Sequence, residues 1–75
     1  MKPSAYDYPK DFFIPFEKGS YKEGRLIINF HEQAFSVEID ILQKDSRKIF
    51  YHVALMTSFE SEHEAIEAGI FRLKS

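Results

Sequence analysis

The chain has 75 residues, of which 44% are hydrophobic and 29% charged, with a formal net charge of -2. This composition excludes a disordered polyampholyte and allows one small globular domain. The absence of cysteine excludes disulfide scaffolds, cysteine-ligated zinc folds and thiol catalysis. No apolar run approaches the ~20 residues a membrane span requires.

Residues 1–24 read as an irregular N-terminal arm. All three prolines (Pro3, Pro9, Pro15) and two of the three glycines (Gly19, Gly24) fall there. The arm also carries Tyr6, Tyr8, Phe12, Phe13, Phe16 and Tyr21, half of the aromatic residues. Exposed aromatic clusters invite association, so the stretch 11–16 is expected to pack on the domain itself or on a second chain. Phe12, Phe13 and Phe16 are candidate interface residues. The first ten residues lack the apolar core of a secretory signal. With no cysteine, the expectation is a cytoplasmic protein.

Residues 25–75 are expected to form a β-β-β-α domain of the α+β class. Residues 25–31 alternate Leu26, Ile28 and Phe30 with Ile27, Asn29 and His31, a strand pattern. After a polar break at 31–34, residues 35–42 set Phe35, Val37, Ile39 and Ile41 on one face. Ser36, Glu38 and Asp40 take the other. Residues 49–57 form a third strand, apolar on both faces and therefore expected at the centre of the sheet or covered on both sides. Three strands with short links predict an antiparallel meander.

Ser61-Glu62-His63-Glu64 matches a capping box, with the Ser61 hydroxyl on the Glu64 amide and the Glu64 carboxylate on the Ser61 amide. The helix that follows presents Ile66, Gly69, Ile70 and Leu73 as one packing stripe. Gly69 is disfavoured in a helix interior by ~1 kcal/mol relative to Ala, so a close approach to the sheet is expected there. Phe71 lies off the stripe and is a further candidate interface residue.

The catalytic inventory is thin. There is no G-x-S-x-G elbow and no glycine-rich phosphate loop. His31, Glu38, Asp40 and His52 all fall on the sheet face away from the helix if the pleat is regular. That set reads as a polar face with cross-strand pairs rather than a metal or acid–base site. No cofactor, metal or enzymatic activity is expected. The single basic cluster, Lys44, Arg47 and Lys48, together with Tyr51, is the only candidate nucleic-acid contact. The acidic helix entry opposes that reading.

The run Phe59-Glu60-Ser61-Glu62-His63-Glu64-Ala65-Ile66-Glu67-Ala68-Gly69 follows the strand through Tyr51 and Leu55. It resembles the F-x-[ST]-x-x-E-A-[IV]-x-x-G helix entry of small uncharacterised bacterial proteins. The layout of residues 22–75 is also similar to YegP-like domains, which carry a glycine-rich first hairpin missing here. The resemblance implies a bacterial origin and a β-β-β-α fold, and it assigns no functional residue. The expected function is a non-enzymatic protein-interaction module, binding a partner or itself as a homodimer. The alternative is a nucleic-acid-binding regulator using the sheet face.

Overall fold

The computed structural model describes residues 7–15 and 21–74. Its elements are β1 (Lys10–Pro15), β2 (Lys22–His31), β3 (Ala34–Gln43), β4 (Ile49–Phe59) and α1 (Glu62–Lys74). The α+β class, the antiparallel sheet and the C-terminal helix are as expected, but the sheet has four strands, in the order β1-β2-β3-β4. The fourth comes from the arm. Lys10 to Pro15 pair with β2 from Ile28 to Glu23, and Pro15 is tolerated because it closes an edge strand. Phe12 and Ile14 alternate onto the core, which period-2 counting across KDFFIP could have shown.

The new strand moves the others. With β1 on one edge, β2 and β3 become central and β4 takes the opposite edge. The expectation of a central, covered third strand is therefore corrected: Ile49, Phe50, Tyr51 and Leu55 of β4 are exposed.

One sheet face carries the helix. Leu26, Ile28, Val37 and Ile39 are fully buried beneath it, joined by Phe35, Ile41, Ala65 and Leu73. Gly69 explains how the helix comes so close. A Cβ there would lie 3.0 Å from both Leu26 Cδ2 and Val37 Cγ2. Gly24 plays the matching part on β2, lying directly under Leu73.

The helix start follows the sequence on one side only. The Glu64 amide donates to Ser61 Oγ at 3.1 Å. The Glu64 carboxylate accepts from the Glu60 amide, at 3.3 Å, rather than from Ser61. The residues around the start of β1 fasten this end. The Tyr8 ring packs against Phe30 and Phe35, and its hydroxyl donates to Glu62 Oε1 at 2.9 Å. Lys10 Nζ lies 3.1 Å from the same carboxylate oxygen. Burial pushes the Glu62 carboxyl up, but the hydrogen bonds from Lys10 and Tyr8 outweigh it and hold the acid below its usual range. Among the described residues, no helix is long and apolar enough to cross a membrane.

Candidate functional site: the polar row on the open sheet face

Antiparallel pairing sets side chains in rows across the sheet. On the face away from the helix, one row reads Phe13, Arg25, Asp40, His52 and the next reads Asp11, Ile27, Glu38, Leu55. Asp40 is the centre. It is 1% exposed, although it sits on the uncovered face. Arg25 donates to Asp40 Oδ2 at 2.9 Å, and His52 Nδ1 lies 2.8 Å from Oδ1. Glu38 shares the strand and the face with Asp40.

His52 reaches this row through an irregularity in β4. Ile39 pairs with Ala54, yet Asp40 pairs with His52, so Val53 is an extra residue. A bulge of this kind re-aims the side chains that follow it. With regular pairing, Asp40 would face Val53. In the bulged strand Val53 instead packs on the core.

The electrostatics follow from these contacts. Burial raises the proton affinity of Asp40, but hydrogen bonds from Arg25, His52 and Glu38 outweigh it, so its carboxyl titrates below the ordinary value. Glu38 moves the other way. Its hydrogen bond to Asp40 comes first, then burial, and both raise its pKa. An ionised Asp40 can only accept, so His52 donates to it through Nδ1.

This arrangement is half of an acid–base machine. An oriented imidazole is present beside the carboxylate of Asp40, its register partner on β3. Ligating atoms of Glu38, Asp40 and His52 lie within 4.8 Å of one another. However, both oxygens of Asp40 and Nδ1 of His52 are already engaged, and the Arg25 guanidinium sits beside them. The row is thus occupied at Asp40, while Arg25 Nε is buried without a hydrogen-bond partner among the described residues. His31, grouped with these residues by the pleat, lies at the hairpin end opposite Ala34 and pairs with Glu32 at 3.7 Å instead. Arg25 was missed by sequence reasoning; counting back from the hairpin at 31–34 would have put it opposite Asp40.

The remaining candidates fall in three places. Phe12 packs in the core from β1, so its contact is within the chain. Phe13 lies on the open face under Arg47, whose guanidinium carbon is 3.9 Å from the ring centre. Phe16 lies outside the described residues. Phe71 is 78% exposed on the outer side of α1. Of the basic cluster, Arg47 turns onto the open face, where its Nε is 3.3 Å from the buried Glu23 carboxylate. Lys44 and Lys48 stay exposed in the β3–β4 loop, at the same end of the sheet as Tyr51. Comparisons with family models, curated proteins and solved structures find no match to this chain.

Proposed function

We propose that the chain is a small non-enzymatic interaction module that associates through strand β4, with a second copy as its partner. One observation carries the reading: an eleven-residue edge strand, IFYHVALMTSF, holds no Lys, Arg, Asp, Glu or Pro. Edge strands are ordinarily blunted by such residues. The opposite edge illustrates this, since β1 has six residues and includes Lys10, Asp11 and Pro15. The exposed Ile49, Phe50, Tyr51 and Leu55 add apolar surface along β4. Three irregularities in the β3–β4 ladder leave 54–56 as its longest regular run. Association therefore rests more on side chains than on backbone pairing. The reading extends to a cytoplasmic location, supported by the cysteine-free composition.

Light scattering across a concentration series tests the proposal. The expected mass rises above the 8.8 kDa of one chain with concentration. Leu55→Lys should hold the protein monomeric and keep the melting temperature of the dilute, monomeric wild type, because Leu55 is 59% exposed. A wild-type mass that stays monomeric throughout would reject self-association.

A further inference from the structure

The end of the sheet that holds the β3–β4 loop sets two exposed aromatic rings beside a lysine and a third against one of them. Tyr21 is 69% exposed, Phe50 48% and Tyr51 50%. Lys22 Nζ lies 4.5 Å from the Phe50 ring centre and 5.9 Å from that of Tyr21. The Phe50 and Tyr51 rings meet edge-to-face at 6.0 Å. The loop is tied to the same place, since the Lys44 amide donates to the Tyr21 carbonyl at 2.7 Å and the Lys48 carbonyl accepts from the Gln43 amide at 2.9 Å.

Charge at this end differs from that of the whole chain. Among the described residues, Lys22, Lys44 and Lys48 are here, and the acidic neighbours are Glu23 and Asp45. Glu23 is buried and paired with Arg47, and the Asp45 carboxylate accepts from the Ser46 amide. The acidic residues Glu60, Glu62 and Glu64 sit at the other end of the sheet, where β4 leads into α1. Among the described residues, this end of the sheet is therefore basic although the whole chain carries a net charge of -2.

Aromatic faces beside lysines are what an unpaired nucleotide strand requires. Each base has a face that stacks on an aromatic ring, and each phosphate has a charge that a lysine meets. We propose that this end binds single-stranded nucleic acid, with Phe50 and Tyr51 stacking bases and Lys22, Lys44 and Lys48 meeting phosphates. Duplexes are disfavoured because their bases are already stacked on one another. The inference does not rest on the self-association reading, but the two share Phe50 and Tyr51, so a second copy and a nucleic-acid strand would compete for this end of β4.

The test is fluorescence polarisation of a short labelled oligothymidylate with the full chain. Wild type should bind at low ionic strength and weaken as salt rises. The Lys44→Glu/Lys48→Glu variant should flatten the salt dependence, with a log–log slope smaller by ~0.7 for each phosphate no longer neutralised. Phe50→Ala/Tyr51→Ala should bind about tenfold or more weakly, as expected when stacking is removed. Thermal melts check folding, and Tyr21→Ala is a milder second probe on the same cluster, expected to weaken binding less. No binding at low salt would overturn the proposal. So would undiminished binding by the folded aromatic variant, or equal affinity for a duplex of the same length.

Discussion

Asp40 is held ionised in a place where water does not reach it, and three neighbours make that tolerable. Removing the charge leaves Arg25 facing a weaker acceptor. Asp40→Asn is expected to lower unfolding free energy at neutral pH by about 2 kcal/mol, less than for a fully buried pair because Arg25 and His52 remain partly solvated. Urea titration measures it. The depressed pKa sets the pH dependence. Stability from Asp40 is fully present above the unfolded value of 3.8 and is lost as pH falls through the lower folded value. The difference between wild type and Asp40→Asn should therefore shrink in strong acid. Glu38 has the opposite sign. Its folded pKa is raised above 4.5, so ionisation costs stability as pH rises from 4.5 through the folded value. Glu38→Gln keeps a donor toward Asp40 without that cost. It should raise stability at neutral pH, by ~1 kcal/mol or less, and leave it unchanged below pH 4.5. Equal effects at both pH values would show that ionised Glu38 does not cost the fold stability.

Two elements carry local conflicts that packing or pairing overrides. The β2–β3 hairpin turns on Glu32 and Gln33, with φ of 51° and 66°. A two-residue turn needs this left-handed backbone, which non-glycine residues adopt at a cost. Replacing Glu32-Gln33 by Asn-Gly should stabilise the protein by about 1–2 kcal/mol, read as a higher melting temperature. Gly69 resolves the other conflict. Alanine would add helix propensity of ~1 kcal/mol, but its methyl would press on two fully buried side chains, Leu26 and Val37. Overpacking of this kind costs about 1–3 kcal/mol, so Gly69→Ala is expected to destabilise despite the better helix former. A rise in melting temperature would mean that α1 moves away from the sheet at little cost.

At the scale of the whole molecule, a core this small depends on every layer that covers it. The N-terminal segment supplies an edge strand, the Tyr8 ring over Phe30 and Phe35, and the ties from Tyr8 and Lys10 to Glu62. Deleting residues 1–16 removes all of these and uncovers the edge of β2. The truncated protein should melt at a lower temperature and lose solubility, both measurable on one sample by circular dichroism and light scattering. Equal stability and solubility would mean that β2 to α1 fold independently of β1.

Much of the fold was legible because its periodicities are local. The alternation in β3, the Ser61 cap and the α1 stripe arise from neighbours in sequence, and all three appear in the structure. The alternation in β1 was obscured by prolines, which mark loops and edge strands alike. The polar row shows the limit most plainly. Glu38 and Asp40 share a face by strand period alone, and the sequence determined that much, along with the absence of thiol chemistry. Counting back from the hairpin at 31–34 also reaches Arg25 opposite Asp40, but only the bulge at Val53 turned His52 toward them. The position of β4 at the edge was decided in the same way. An apolar strand has the same composition whether its outer side meets another strand or solvent, and the neighbour that would settle it is chosen by the whole sheet.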